Sequence, residues 1–158
     1  MKDVFCNKKV LIKQAYYESK YIYILYNIRP ILPGHSLIIP KRHVEFIQDL
    51  KEDEWLDILH AVKKILPILM SKYKADSYNL TSNIGPYSGR EINHVHIHVI
   101  PRKKDDLYSK NVDMLYAGIE KDLYPVDKDV DPAKETKELR KIFKYGLDER
   151  GNKNCKKR

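Results

Sequence analysis

The residues with the clearest chemical potential in this chain are three histidines at alternate positions, in the segment His94-Val95-His96-Ile97-His98-Val99-Ile100. On a β-strand, alternate residues point to the same side, so the three imidazoles would share one face and the apolar residues between them the other. With six histidines in 158 residues, such a row arises by chance in on the order of 1% of chains. The pattern predicts a row of imidazoles lining a cleft.

Metal binding is one chemistry open to this row, because histidine is the commonest metal ligand in proteins. Alternate residues of a strand lie about 6.7 Å apart, which puts His94 and His98 about 13 Å apart at Cα. One ion would therefore reach all three rings only with strain, and a tetrahedral site would need further ligands. We expect none from cysteine, and only His35, His43 and His60 remain among the histidines. The spacing makes a metal site the weaker alternative.

Nucleophilic attack on phosphorus is the other chemistry. A neutral imidazole is a good nucleophile when its second nitrogen keeps the proton and is held by an acceptor. The middle ring, His96, would attack, while His94 and His98 would donate hydrogen bonds to phosphate oxygens as charge builds in the transition state. The loop around Gly89 could add backbone N–H groups in the manner of an anion-binding nest. The row thus predicts a phosphate-linked substrate.

Strands and one long helix would position these groups. Runs of β-branched and aromatic residues predict strands within residues 10–26, 35–40, 77–83 and 94–100. Apolar residues from Trp55 to Leu69 recur at helical spacing, which predicts a helix over residues 51–70 whose apolar stripe covers the sheet. We expect Asp49 and Glu52 to form its capping box and Pro67 to kink it or tighten its last turn.

A second helix is predicted to begin at Asp131-Pro132, a capping acid followed by proline, and to end at Gly146. Its narrow apolar face would consist of Leu139, Ile142 and Phe143. We assign residues 1–149 to a single domain with a mobile loop region at 102–130, and residues 150–158 to a basic, disordered tail.

Composition narrows the class of protein. The net charge of +8 favours polyanionic partners, namely nucleotides, nucleic acid or phosphorylated molecules, and the charge alone does not choose among them. We nevertheless expect no nucleic-acid partner. The two cysteines, at positions 6 and 155, predict no disulfide framework. No apolar run approaches the roughly 18 residues that span a bilayer, and we expect no secretion signal, because Asp3 stands where the apolar region of a signal peptide would start. We therefore expect no membrane partner and a location in the cytoplasm, or in the cytoplasm and nucleus.

The histidine row resembles the motif of the histidine triad (HIT) family, His-x-His-x-His followed by apolar residues. Motifs elsewhere in the chain resemble the branch named after the fragile histidine triad protein, Fhit. They are Asn27-Ile28-Arg29-Pro30-Ile31-Leu32-Pro33-Gly34-His35, Pro40, Asp49-Leu50, Gly85-Pro86, Gly89 and Pro101-Arg102-Lys103. The resemblance covers roughly residues 5–107 and is far more specific than the row alone.

The resemblance implies an α+β fold, with an antiparallel sheet, one long helix packed across it and a C-terminal helix, paired as a homodimer. It also implies hydrolysis of dinucleoside polyphosphates, such as diadenosine triphosphate, to AMP and a nucleoside diphosphate through a covalent nucleotidyl-histidine. No tightly bound cofactor or protein-held metal is expected, although Mg²⁺ or another divalent ion could accompany the substrate.

The resemblance also assigns roles to single residues. His96 would be the nucleophile, His98 would bind the α-phosphate, and His94 and His35 would orient the nucleophile. Asn27 would hold the ribose. The residues that would line the phosphate path are Gly89, Arg90, Glu91 and Ile92.

Two departures from the branch concern the phosphate path. Asn83 stands where the branch usually has glutamine, so the same hydrogen bond to a phosphate would lengthen by about 1.5 Å. Arg90 and Glu91 are charged where the branch tends to be neutral, and Arg90 could lend its guanidinium to the phosphate chain. The alternatives are a nucleoside phosphoramidase, whose branch lacks the Arg-Pro-x-x-Pro-Gly-His run, and a nucleotide-binding signalling module with slow turnover.

Overall fold

The computed structural model of the chain describes residues 3–109 and 130–144, which form a mixed α/β fold. One antiparallel sheet holds five strands in the spatial order β1-β2-β3-β5-β4. The strands are β1 (Ala15–Glu18), β2 (Ile22–Tyr26), β3 (Ser36–Pro40), β4 (Ser77–Thr81) and β5 (Ile97–Arg102). The helices are α1 (Lys8–Gln14), α2 (Glu52–Tyr73) and α3 (Pro132–Ile142), with short 3-10 turns at Val4–Cys6 and Ile47–Asp49. This architecture confirms the expected fold class.

Helix α2 packs across the sheet, as its apolar stripe predicts. Its buried side chains share one core with residues of the histidine segment and of the neighbouring strands, namely Ile58, Ala61, Ile65 and Leu69 with Val95, Val99, Ile24 and Ile38. The apolar face of the histidine segment therefore points at the helix, and the imidazoles point away from it. The helix continues through Pro67 to Tyr73.

The start of α2 differs from the expected capping box. Asp49 lies in the preceding 3-10 turn, and the cap is formed by Glu54, whose carboxylate accepts the Lys51 N–H at 2.8 Å. Arg42 holds the same carboxylate with two bonds of 3.0 and 2.7 Å. The cap thus lies two residues further along than the sequence pattern indicates, because Arg42 fixes Glu54 rather than Glu52.

The predicted strand over residues 10–26 is wrong in its first part, where α1 occupies Lys8–Gln14. Asn7 caps this helix by accepting the Lys9 N–H at 2.9 Å. Within α1 only Leu11 is buried, so the apolar run that suggests a strand provides a single core contact. The chain becomes extended only at Ala15, where β1 pairs with β2.

The histidine segment also enters the sheet later than expected. Strand β5 begins at Ile97, and of the three histidines only His98 lies within it. Before that point the backbone is held from outside the sheet, because the Val95 N–H donates to the Val44 carbonyl at 2.6 Å. His94 and His96 therefore belong to the approach to β5 rather than to the strand itself.

The end of β5 is fixed by a compact turn rather than by a loose loop. Asp106 is buried and accepts two bonds from the Arg102 guanidinium, at 2.8 and 3.0 Å, and one from the Lys103 N–H at 3.1 Å. The rest of the predicted mobile region, and the basic tail at 150–158, lie outside the described residues. Helix α3 begins as predicted, with Asp131 accepting the N–H groups of Ala133 and Lys134.

The apolar face of α3 is narrower than expected. Leu139 is fully buried and Phe143 packs against the same core, whereas Ile142 is 48% exposed. The expected stop at Gly146 lies outside the described residues. Among the residues that the structure describes, no helix is long and apolar enough to cross a membrane.

Candidate active site

His96 lies at the centre of the site with one ring nitrogen tied down and the other free to react. Its Nδ1–H donates to the backbone carbonyl of His94, 2.7 Å away. Because a carbonyl can only accept, the proton must sit on Nδ1, which leaves the lone pair on Nε2. Burial lowers the pKa of His96 despite the opposing effect of that backbone bond, so the ring is neutral near pH 7. This is the form that a nucleophilic imidazole requires.

His98 is set in the opposite tautomer by a chain of hydrogen bonds that begins at the backbone. The Ile31 N–H donates to His35 Nδ1 at 3.2 Å, so the proton of His35 lies on Nε2. His35 Nε2 is 2.9 Å from His98 Nδ1 and donates to it. The proton of His98 is therefore on Nε2, and among the described residues that buried nitrogen has no hydrogen-bond partner. A buried donor without a partner is a binding site for an acceptor.

Burial keeps the rings of His35 and His98 neutral. It lowers the pKa of His35 to about 3, with a smaller contribution from the charge of His96. Burial also lowers the pKa of His98 well below its ordinary value, and His35 and His96 add to the effect. The relay of donors and acceptors therefore persists across the physiological pH range.

The rings of His96 and His98 lie next to each other at the centre of the site, in an edge-to-face arrangement. The ring centroids of His96 and His98 are 5.1 Å apart, and the ring planes are inclined by 65°. One ring offers a lone pair at Nε2 and the other an N–H at Nε2. An electrophile with an adjacent anionic oxygen, as in a phosphate ester, fits this pair: phosphorus meets the lone pair and the oxygen accepts from the N–H.

His94 is fully buried and is bonded at both ring nitrogens. Nε2 lies 3.0 Å from the Pro40 carbonyl, and Nδ1 lies 2.7 Å from the carboxylate of Asp3. The Pro40 carbonyl and the Asp3 carboxylate thus hold the ring from two sides. His94 therefore presents its backbone carbonyl, rather than its ring, to His96.

Three residues near His94 complete a cluster that sequence reasoning did not find, namely Asp3, Cys6 and His43, of which only His43 was named as a further candidate ligand. The Asp3 carboxylate accepts from His43 Nδ1 at 2.7 Å and from the Cys6 thiol at 2.9 Å. Partial burial opposes ionisation of Asp3, but the bonds from Cys6, His94 and His43 prevail and lower its pKa. Burial and the neighbouring Asp3 raise the pKa of the Cys6 thiol to about 11. No local pattern could reveal this cluster, because its members come from three separate segments.

The same four side chains have the chemistry of metal ligands. One ligand atom from each of Asp3, Cys6, His43 and His94 lies within 4.8 Å of the others. Nitrogen, sulfur and carboxylate oxygen form the donor set that Zn²⁺ prefers. The expectation that no cysteine could assist a histidine ligand is therefore wrong for Cys6. The expectation of no protein-held metal stays a prediction.

The predicted ribose and phosphate residues hold hydrogen bonds to neighbouring groups. Asn27 Nδ2 lies 3.3 Å from both ring nitrogens of His35, and its Oδ1 accepts the Arg29 N–H at 3.0 Å. Asn83 Nδ2 points at the Gly89 carbonyl, 3.5 Å away. Gly89 has a φ of +79°, in the region that favours glycine. Asn27 and Asn83 thus hold local bonds that a ligand would replace or extend.

The charged loop residues point in different directions. The Arg90 side chain is only 7% exposed, because its guanidinium donates to the Glu45 carbonyl at 3.0 Å and lies over the Phe46 ring. Glu91 is exposed, and Ile92 packs against the apolar cluster around Phe5. The suggestion that Arg90 contacts the phosphate chain stays a prediction, and it would require the guanidinium to leave Glu45.

Fold and site together define a protein that places a free imidazole nitrogen beside an imidazole N–H donor at the start of β5, an inner strand of the antiparallel sheet. The family model described as HIT domain matches residues 8–105. A bis(5'-adenosyl)-triphosphatase of Dictyostelium discoideum is 35% identical over 135 residues, which cover 84% of this chain and 89% of that protein. The chain belongs to the HIT, or histidine triad, family.

Other relatives extend beyond this chain. An asymmetrical bis(5'-nucleosyl)-tetraphosphatase of Schizosaccharomyces pombe is 36% identical over 120 residues, which cover 76% of this chain and 65% of that protein. Bis(5'-adenosyl)-triphosphatases of Saccharomyces cerevisiae match over only 50% of their length. The crystal structure of the C. elegans NitFhit protein superposes with a TM-score of 0.64 and 25% identity, covering 82% of this chain and 27% of that one.

Proposed function

We propose that this chain is a hydrolase of dinucleoside polyphosphates that releases AMP and a nucleoside diphosphate through a nucleotidyl group held on His96. The observation that carries the proposal is the pair of complementary tautomers: His96 offers a lone pair at Nε2, and the adjacent His98 offers a buried N–H without a partner among the described residues. The names of the relatives from D. discoideum and S. pombe support the same substrate class.

The reaction would take place in two displacements. His96 Nε2 attacks the α-phosphorus, so that a P–N bond forms and the P–O bond to the departing nucleoside diphosphate breaks. His98 Nε2–H donates to a non-bridging oxygen as its negative charge grows. Water then attacks the same phosphorus, the P–N bond breaks with its electron pair returning to Nε2, and one proton of the water is released to solvent. His96 Nδ1–H stays bonded to the His94 carbonyl throughout, which keeps the ring in its reactive orientation.

The test is to incubate the purified protein with diadenosine triphosphate and to measure AMP and ADP by chromatography, beside His96→Asn and an exposed control, His60→Asn. We expect equal amounts of AMP and ADP from the parent and the control, and none from His96→Asn. Tight binding of nucleotide without products would favour the binding module with slow turnover. Cleavage of a nucleoside phosphoramidate in preference to the dinucleotide would favour the phosphoramidase.

The remaining features of the proposal concern location and cofactors. The free thiol of Cys6 is typical of a reducing compartment, and it supports a location in the cytoplasm, or in the cytoplasm and nucleus. The neutral rings of His96 and His98 supply the nucleophile and the donor without a metal. Mg²⁺ or another divalent ion would accompany the substrate, where it would neutralise the polyphosphate charge.

We also propose that two copies of the chain pair through one continuous apolar surface, formed by α2 and the edge strand β4. Three of its side chains are unusually exposed for their type: Trp55 at 40%, Leu59 at 52% and Leu80 at 43%. They line a groove of 670 Å³. Strand β4 pairs only with β5 within the described sheet, so its outer edge is open to a symmetry-related β4.

The pairing is tested by light scattering after size-exclusion chromatography. Leu59→Asp places a charge in the middle of the surface, and we expect it to convert a dimer of the parent into a monomer. Ile142→Asp is the matched control, because Ile142 is an equally exposed apolar residue on α3. A monomeric parent, or a dimeric Leu59→Asp variant, would contradict the proposed pairing.

A further inference from the structure

Asp3 lies outside the histidine row, yet its carboxylate is fully engaged at the back of the site. Oδ1 accepts the Phe5 N–H at 2.9 Å and so caps the 3-10 turn Val4–Cys6. Oδ2 accepts from His94 Nδ1 at 2.7 Å, from His43 Nδ1 at 2.7 Å and from the Cys6 thiol at 2.9 Å. One carboxylate thus joins the N-terminal segment to the first histidine of the row.

Of these bonds, the one to His94 reaches the reacting atoms. His94 is anchored by its ring at two points, the Asp3 carboxylate and the Pro40 carbonyl. Its own backbone carbonyl accepts the Nδ1–H of His96 at 2.7 Å. The position of that carbonyl decides both the tautomer and the orientation of the nucleophilic ring. Hydrogen bonds that fix His94 therefore also fix the ring of His96.

The capped turn adds a packing contact to the same two rings. Phe5 is buried, and its ring centroid lies 5.8 Å from that of His94 and 5.5 Å from that of His96. Asp3 therefore acts on the site in two ways, by a direct hydrogen bond and by holding the turn that carries Phe5. An experiment must separate the two.

We propose that Asp3 is a positioning residue for the nucleophile, acting through His94. The inference rests on the proposed function of His96 and extends the active site to a residue outside the histidine motif. It requires that loss of the carboxylate slows the chemical step while substrate binding stays the same, because the hydrogen bonds of Asp3 within the described residues go to Phe5, Cys6, His43 and His94 and not to the rings of His96 and His98.

The variant that separates the hydrogen bond to His94 from the cap on the Phe5 turn is Asp3→Asn. Asparagine is as good a helix cap as aspartate, so its oxygen can keep the Phe5 N–H, whereas its NH₂ group can donate to His94 but cannot accept from it. Asp3→Ser is the second variant, because serine also caps the turn and its shorter side chain leaves His94 Nδ1 without either kind of partner. The matched controls are His43→Ala, which removes one of the other two bonds to Oδ2, and Cys6→Ser, whose hydroxyl keeps a donor to Oδ2 while the sulfur is removed. Turnover of diadenosine triphosphate gives kcat and KM. Two-bond ¹⁵N–¹H spectra report which nitrogen of each histidine carries the proton, independently of turnover.

For Asp3→Asn and Asp3→Ser we expect kcat to fall by about 10- to 100-fold, the usual cost of removing a group that orients a functional histidine, with KM changed by less than about 3-fold. The spectrum of His96 should change from a single Nδ1–H tautomer to a mixture. Both controls should keep the parent's kcat and tautomer. Thermal unfolding of all variants checks that the fold is retained.

Two results would overturn the proposal. One is a parent-like kcat and tautomer in both Asp3→Asn and Asp3→Ser. The other is stoichiometric zinc in the purified parent, measured by elemental analysis, that is lost together with activity in Asp3→Asn, His43→Ala and Cys6→Ser alike. In that case Asp3 would act as a metal ligand. A parent that cleaves no dinucleotide, but whose His96 tautomer depends on Asp3, would refute the proposed function and leave the positioning role standing.

Discussion

Replacing His35 by glutamine is expected to weaken the pH dependence of the protein's stability below neutrality. His35 is 1% exposed and transmits the tautomer from the Ile31 N–H to His98. This role requires a neutral ring, and burial lowers its pKa from 6.5 to about 3. Glutamine does not titrate, and its amide can still donate toward His98.

The size of the effect follows from proton linkage. As pH falls through 6.5 the unfolded chain takes up a proton at His35, whereas the folded protein does so only near pH 3. The stability that the neutral ring provides is therefore complete above pH 6.5 and is lost as pH falls toward 3. Between pH 7.5 and pH 5 the loss assigned to His35 is about 2 kcal/mol.

The assay is urea denaturation of the parent and of His35→Gln at pH 7.5 and at pH 5. The parent should lose about 2 kcal/mol more of its free energy of unfolding than the variant does. His60→Gln is the matched control, since water surrounds that helix side chain in both states, and it should follow the parent. If the free energy of unfolding falls equally in the parent and in His35→Gln, the conclusion that His35 is buried in its neutral form is wrong.

Three further predictions concern the packing around the site and its pH dependence. Gly34→Ala should lower the free energy of unfolding, measured in urea, by about 2–4 kcal/mol, because φ is +88° and the added Cβ would lie 2.5 Å from the Tyr73 ring. A loss under about 1 kcal/mol would show that the turn adapts to the added carbon. Asp106→Ala should cost about 3–5 kcal/mol in the same assay by leaving the buried Arg102 without its carboxylate, and an unchanged midpoint would contradict this. Burial lowers the pKa of His96 below its ordinary value, so a decline of kcat/KM caused by protonation of this ring should have its midpoint below about pH 6.5 in a pH series. A midpoint at about pH 7 or above would contradict the neutral nucleophile.

Local patterns were sufficient for much of the fold. The apolar period from Trp55 to Leu69 indicates α2, and the Asp131-Pro132 pair indicates the start of α3. Both signals depend on neighbours within a few residues, which a sequence displays directly. The strand prediction failed at Val10-Leu11-Ile12 because β-branched residues also occur in short helices, and the cap from Asn7 decided the outcome.

The identity of the central rings was also accessible from sequence, but their chemical states were not. Alternation placed His96 and His98 side by side, as the structure has them. The tautomer of His98 depends on the Ile31 N–H and on His35, which lies 63 positions from His98. The tautomer of His96 depends on the carbonyl of His94, which is held in place through the ring of His94. Asp3 lies 91 positions from His94. Bonds over such separations depend on the tertiary fold, and no periodicity in the chain encodes them.

The formation of a nucleotidyl group on His96 is tested most directly by mass spectrometry of the protein during turnover of diadenosine triphosphate. The reaction is stopped with alkaline denaturant, which preserves a P–N bond. We predict that a fraction of the chains is heavier by one adenylyl group, with the group mapped to His96 and absent from His96→Asn. Rapid turnover with no modified chain, together with net inversion of configuration at a chiral α-phosphorus, would show direct attack by water and would contradict His96 as the nucleophile.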